Sequence, residues 1–295
     1  MVAISIILRF KYIISLYFTI GGWPSVFYIF GAVGIVWFIA WTALVAETPQ
    51  YHLLPEDESE ETQSHQPLTE EKVEKNVVPW IKILTSIPFL ALLAGFFCQG
   101  WIWFFIITDL PLYYKKVWNL SVMEGGLFSS LPIICALFTH TVSGYLSDYL
   151  QQWWQVKTTR RFIASTGFFA TALLLILVSY TKDGENVQAI IYMILCAGAS
   201  RWNRVTFLSN IIDLSPTYTG VLMGIAVTIV TIAGIGAPLV TGFFTNHDPS
   251  RENYRVVFFI NAGICVFGGL FFSAFVSGNV QDWDPTNEND ERDVG

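Results

Sequence analysis

The chain has 295 residues, of which 53% are apolar, 16% aromatic and only 13% charged, and its net charge is −7. Soluble domains average about 25% charged residues, so the composition excludes an ordinary soluble domain. The negative charge gathers between residues 47 and 80 and after Gln281, and with no basic stripe anywhere a nucleic-acid partner is excluded as well.

A helix crosses the hydrocarbon core of a bilayer with about 20 apolar residues. Apolar stretches of that kind predict crossings over residues 26–46, 87–108, 125–147, 162–180, 187–212, 218–243 and 255–277. A further apolar run over residues 2–20 is interrupted by Arg9 and Lys11 and has no small-residue cleavage site after it. No period-two alternation marks a barrel, so helices are the crossing structure. The expected fold class is all-α, a polytopic transmembrane helical bundle. Residues 1–46 supply one or two leading helices, 47–80 an acidic linker, 81–281 a six-helix bundle, and 282–295 an acidic, disordered tail.

The linker carries Glu56, Asp57, Glu58, Glu60, Glu61, Glu70, Glu71 and Glu74 among few apolar residues, a composition that does not fold by itself. Lys72, Lys75, Lys82, Lys157, Arg160 and Arg161 lie on the linker's side of the membrane. Lys115, Lys116, Lys182, Arg251 and Arg255 lie on the other. This small excess favours a cytosolic linker and C-terminus. Cys98, Cys135, Cys196 and Cys265 fall in four different crossings without a metal-ligand spacing, so buried packing is expected and no metal site.

Polar groups inside the crossings are the candidates for function, because burying them is costly. Gln99 sits mid-crossing among aromatic neighbours that include Trp101 and Trp103, and its amide suits a cavity wall. Arg201, Asn203 and Arg204 interrupt the 187–212 crossing. Two readings stand for the arginines: both face a cavity and attract an anion, or the helix is irregular there and they snorkel. His140 reads as a helix-to-helix hydrogen bond rather than a proton relay. Gly144 and Asp148, in Gly144-Tyr145-Leu146-Ser147-Asp148, end one crossing, and Arg160-Arg161 opens the next on the same side. These four residues form a candidate conformational latch, with an ordinary capped turn as the alternative. Gly234, Gly236 and Pro238 make either a kinked, cavity-lining hinge or a close helix contact. Gly220 and Gly224, four apart, predict close helix packing.

These landmarks occur in a set order. Gly22-Trp23-Pro24-Ser25-Val26-Phe27-Tyr28-Ile29-Phe30-Gly31 comes first, followed by Val78-Pro79-Trp80 with Thr85-Ser86, then Gln99-x-Trp101. Leu131-Pro132, the Gly144–Asp148 motif, Asn210, and Asp213-Leu214-Ser215-Pro216 come next. Leu222-Met223-Gly224-Ile225, Arg255-Val256-Val257-Phe258 and Ser277-Gly278, with Gln281 and Trp283, complete the series. In order and spacing the chain resembles the anion:cation symporter branch of the major facilitator superfamily. That branch includes sialin, vesicular glutamate transporters and sodium-dependent phosphate cotransporters. The resemblance runs from about Gly21 to Pro285 and implies the superfamily's C-terminal six-helix half plus its sixth helix. It also implies a small anionic substrate, a sodium ion or proton as coupling ion, and no organic cofactor. Gln99 and Arg201, from their polarity within crossings, and Trp101 and Asn210, from the resemblance, are the candidates for the substrate path. The chain departs from the branch at Ile211, Val227 and Thr231, and at Arg201-Trp202, where small residues are usual and crowding is expected.

Two functions follow. One is a secondary transporter of organic anions or phosphate in a multi-pass membrane protein, with plasma membrane and lysosomal or vesicular membrane both open. The other is a non-transporting half that associates with the N-terminal half it lacks or with a full-length homologue. An enzyme is not expected, since no HExxH or GxSxG is present and His140 has no nucleophile at a useful spacing.

Overall fold

The computed structural model describes residues 24–44, 78–118, 122–182 and 186–287, and every regular element in them is a helix. The linker expected over 47–80 therefore lies outside the described residues except for its last three, as do the 2–20 run and the far end of the tail. The chain divides into two units, Met1–Val77 and Val78–Gly295.

The first unit contributes α1, Pro24–Leu44. Apart from Tyr28 and Thr42 its described side chains are apolar, with Phe27, Phe30, Val33, Trp37, Phe38 and Trp41 all exposed. A helix apolar all round is suited to lipid rather than to water.

The second unit begins with a short helix, α2 (Trp80–Thr85), and then α3, Ile87–Phe104. Pro88 opens α3 rather than kinking it, since a proline in the first turn gives up only an N–H that has no helical partner. The helix widens to π geometry over Phe105–Asp109 and continues as α4, Leu110–Trp118. Next come α5 (Val122–Gln151), α6 (Val156–Tyr180), α7 (Asn186–Trp202), α8 (Arg204–Leu214), α9 (Thr219–Thr245) and α10 (Arg251–Phe275). Ile87–Trp118, α6, α9 and α10 are each long and apolar enough to cross a membrane. The expected 187–212 crossing is interrupted at one residue, Asn203, which still holds φ −83° and ψ −8° between α7 and α8. The Ser250 hydroxyl accepts from Asn253 N–H and Glu252 lies in the first turn, so α10 starts with a capped, dipole-matched end.

The closest pairings are α6 with α10, α5 with α7, α3 with α9, α6 with α7 and α3 with α10. At the centre, the Phe207 ring meets those of Phe96 at 5.4 Å, Phe168 at 5.9 Å and Phe272 at 5.0 Å. These four rings draw α3, α6, α8 and α10 together. Cys98, Cys196 and Cys265 are buried in the same core, in line with their reading as packing residues.

Three expectations change. The near end of the tail, Asp282 to Asn287, is folded onto the bundle. Asp284 is buried and accepts from Ser215 Oγ, Thr217 Oγ1 (2.8 Å) and Thr217 N–H (3.2 Å), because the loop between α8 and α9 offers donors that a carboxylate can satisfy. Among the described residues Gly220 and Gly224 make no close helix contact, since a Cβ added at either meets no atom within 4 Å. The small residues at the close helix contacts are instead Gly198, whose added Cβ would lie 2.8 Å from Cys135 Sγ, and Gly167, at 3.2 Å from Asn203 Cβ. Those two glycines keep α7 closely packed despite Arg201-Trp202.

Candidate functional site

Residues four apart on a helix share a face, and residues two apart do not. Gln99 and Trp103 are so related on α3, and Arg201 and Arg204 are related by three across the break at Asn203. The two pairs face each other. Arg204 Nη1 lies 3.5 Å from Gln99 Oε1, and the Arg201 guanidinium carbon stands 3.3 Å above the centre of the Trp103 ring. Ile133, Ala136, Leu137 and His140 of α5 line the opposite side of an open cavity of about 230 Å³.

The cavity's charge is unusual for a membrane interior. Neither arginine has a carboxylate partner among the described residues. Both are half-buried, and a half-buried cation without a counter-ion carries a desolvation cost. Stacking on Trp103 and the Gln99 amide oxygen offset only part of it. Gln99 is 1% exposed, and its amide nitrogen and His140 Nδ1 are buried without a hydrogen-bond partner among the described residues. Two cations therefore line one cavity whose other walls are largely apolar, with Gln99 buried against Arg204 rather than in the lining. Chemically such an arrangement can receive a small anion, with guanidinium forks for its oxygens and Ile133, Ala136 and Leu137 for an apolar body. Both arginines line the cavity, as the first reading expects, and the helix is irregular at Asn203, as the second expects.

The other substrate-path candidates lie elsewhere. Trp101 faces α9 and α10, where its indole N–H donates to Asn261 Oδ1 at 3.0 Å. Asn210 is fully buried, and its amide donates to the Ser277 carbonyl at 2.7 Å, which fixes α8 to the end of α10. Motif order selected both residues; helical angle separates them from Gln99 and Arg204. Trp103, Arg204 and His140 are the cavity residues that the motif order did not select. Their spacing of i+4 from Gln99 and i+3 from Arg201 was the available signal for the first two.

The latch candidates are also rearranged. Asp148 is exposed and Arg161 is exposed, whereas Arg160 is 4% exposed. Arg160 Nε pairs with Asp213 Oδ2 at 2.9 Å, and its Nη1 donates to Ser147 Oγ at 3.0 Å. Arg160 therefore binds the end of α8 and the end of α5, and Asp148 takes no part. Gly144 lies against α8, with its added Cβ 4.0 Å from Val205.

The hinge candidates line a helix contact. An added Cβ at Gly234 would fall 2.7 Å from the Phe104 ring, and one at Gly236 2.6 Å from Trp101. α9 continues as one helix through Pro238. Close packing of α9 on α3 is what these glycines provide here.

A family model described as Major Facilitator Superfamily matches residues 10–238. Among curated proteins, the chain is 33% identical over 264 residues to sialin of Homo sapiens, covering 88% of this chain and 52% of that protein. It is 32% identical over 280 residues to vesicular glutamate transporter 3 of Danio rerio, covering 92% of this chain and 47% of the relative. The chain spans about half the length of the curated relatives it matches.

Proposed function

The chain belongs to the major facilitator superfamily, and from that premise we propose that it is the anion-binding half of a secondary transporter for small organic anions or phosphate, coupled to sodium or protons. The observation that carries this reading is the pair Arg201 and Arg204, two cations at one cavity with no carboxylate partner among the described residues. The names of the vesicular glutamate transporters make glutamate the first organic anion to try. The reading involves no covalent chemistry: substrate carboxylate or phosphate oxygens replace water and are released again when the bundle moves against its counterpart. We place the protein in a multi-pass setting with linker and C-terminus cytosolic, in a plasma, lysosomal or vesicular membrane.

The test is uptake of labelled glutamate and of labelled phosphate into proteoliposomes holding the chain, alone and with a full-length relative's N-terminal half. Arg204→Ala, Arg201→Ala and Gln99→Ala are expected to lower uptake or binding of one of the two anions. Unchanged uptake in all three variants removes the cavity from the substrate path.

A second reading, a half that associates with a full-length relative without transporting, is favoured by one face of α9. Gly220, Gly224, Thr228 and Thr231 recur at helical spacing, all four are exposed, and among the described residues neither glycine has an atom within 4 Å of its added Cβ. Small and hydroxyl-bearing residues suit a close contact with another helix in lipid. Co-purification of the tagged chain with a full-length relative, lost in Gly224→Leu, supports it; a monodisperse, transporting chain excludes it.

A further inference from the structure

We propose that the open cleft between α2 and the segment after α10 binds the headgroup of phosphatidylethanolamine, with Lys82 holding the phosphate and Asp282 the ammonium. The cleft has a volume of about 480 Å³, and its walls include Lys82, Thr85 and Ser86 on one side and Gln281, Asp282 and Trp283 on the other. This site is separate from the arginine cavity and does not depend on whether Arg201 and Arg204 bind an anion.

The cleft lies where lipid headgroups lie. α2 is followed, after Ser86, by Ile87–Trp118, which is long and apolar enough to cross a membrane. Ser86 is extended, with φ −66° and ψ 117°, so α2 stops at the mouth of that stretch instead of continuing into it. Ile83 is the buried side chain of α2, whereas Trp80, Ile81 and Leu84 are exposed, Ile81 by 80%. Ile87 and Leu90 carry the exposed apolar surface on into α3. A tryptophan and bare aliphatic side chains at the end of a crossing suit the interfacial region, where acyl chains cover what water would not.

The charges in the cleft match a zwitterion. Lys82 and Asp282 both line it, both are exposed, and they make no ion pair with each other. Asp282 accepts one long hydrogen bond, from the Asn287 amide at 3.3 Å, and keeps acceptor capacity for further donors. A primary ammonium brings three such donors, whereas a quaternary ammonium brings none. The Lys82 ammonium is a compact charge that suits a phosphate. Trp283 Nε1 is buried without a hydrogen-bond partner among the described residues, which leaves one N–H unused in the cleft wall.

The acidic wall is held in place. Gln281 N–H donates to the Leu214 carbonyl at 3.0 Å, and Asp284 is tied to Ser215 and Thr217 in the loop between α8 and α9. Asp282 therefore sits between two anchored neighbours. A lysine alone would favour anionic lipids. A carboxylate beside it repels them and selects a headgroup that carries both charges.

Native mass spectrometry of the full chain in detergent, equilibrated with phosphatidylethanolamine, phosphatidylcholine or phosphatidylglycerol, tests this. Phosphatidylethanolamine is expected to be retained several-fold better than phosphatidylcholine, which has both charges but no N–H donor, and than phosphatidylglycerol, which has the phosphate alone. Lys82→Gln is expected to remove that advantage, and Asp282→Asn to remove the preference over phosphatidylglycerol. Lys115→Gln, at an exposed lysine at the far end of the same apolar stretch, is expected to change nothing. Both cleft residues are exposed, and the comparison of three lipids on the unaltered chain decides the matter even if a variant fails to fold. Equal retention of the three lipids overturns the proposal, because the bound lipid is then an unselective belt. Stronger retention of phosphatidylglycerol overturns it too, leaving Lys82 as a plain cationic anchor, and so does a preference that survives both cleft variants.

Discussion

Arg160 Nε lies 2.9 Å from Asp213 Oδ2, at the junction of α5, α6 and α8. Its Nη2 reaches Asp213 Oδ1 at 3.4 Å and its Nη1 donates to Ser147 Oγ, so one guanidinium fork spans two neighbouring helix ends. With side-chain exposures of 5% and 19%, the pair is largely removed from water. Removing one partner of a buried pair strands the other charge, at about 3–5 kcal/mol. Asp213→Ala is therefore expected to lower the unfolding midpoint of the detergent-solubilised chain by several degrees. Asp148→Ala, at an exposed position, is expected to stay within about 0.5 kcal/mol. Equal effects of the two substitutions would show that the latch had been placed on the wrong aspartate.

Gly236→Ala places a methyl group 2.6 Å from the Trp101 ring. That ring is anchored by its hydrogen bond to Asn261 and cannot swing away freely. Overpacking of this kind costs about 1–3 kcal/mol. Gly224→Ala meets open space, and alanine is the better helix former by up to about 1 kcal/mol. Opposite signs in thermal unfolding are expected; destabilisation by both would mean that the exposed face of α9 is covered in the assembled protein.

The helices were largely legible because a crossing needs a fixed apolar length, and the expected segments match α1, α3, α5, α6, α9 and α10 within a few residues. The interruption at Asn203 was visible as polar residues in an apolar run, though its form was not. The cavity was half legible. Gln99 and Arg201 stood out by the cost of burying them, whereas Trp101 was selected by motif and sits about 200° around the helix from Gln99, at about 100° per residue. Asp148 was the latch candidate because it ends one crossing on the side where Arg160-Arg161 opens the next. Which of two carboxylates meets an arginine depends on how α8 ends against α6, and no local pattern encodes that.

Arg201→Lys tests whether the stacked guanidinium matters beyond its charge. A lysine ammonium keeps the charge but loses both the flat contact with Trp103 and the fork that binds two oxygens at once. Binding of labelled glutamate or phosphate to the chain is expected to weaken about tenfold, equivalent to about 1.4 kcal/mol, and Trp103→Leu is expected to do the same. Trp101→Phe serves as the counterpart. It removes the bond to Asn261, lowers stability by about 1 kcal/mol and leaves anion binding unchanged. Anion binding that falls in Trp101→Phe but not in Trp103→Leu would move the site to the other face of α3.

Asp284 links the tail to the loop between α8 and α9, and this link is expected to depend on pH. Burial by itself would raise its carboxyl pKa, but hydrogen bonds from the side chains of Ser215 and Thr286, the Thr286 N–H and the Thr217 hydroxyl outweigh burial and hold it below the ordinary aspartate value. A carboxyl whose pKa is depressed in the folded state stabilises that state above its unfolded pKa, near about 3.9. That stabilisation is lost as pH falls through the lower, folded value. Hydrogen exchange over residues 282–287 is therefore expected to be slow at neutral pH and to accelerate only below about pH 3.9. Asp284→Asn is expected to show the fast exchange at neutral pH, because an amide offers one acceptor oxygen where the carboxylate satisfies several donors. Protection that survives acid, or that is unaffected by Asp284→Asn, would assign the docking of this segment to the Trp283 ring beside Tyr218, at 6.3 Å, rather than to the carboxylate.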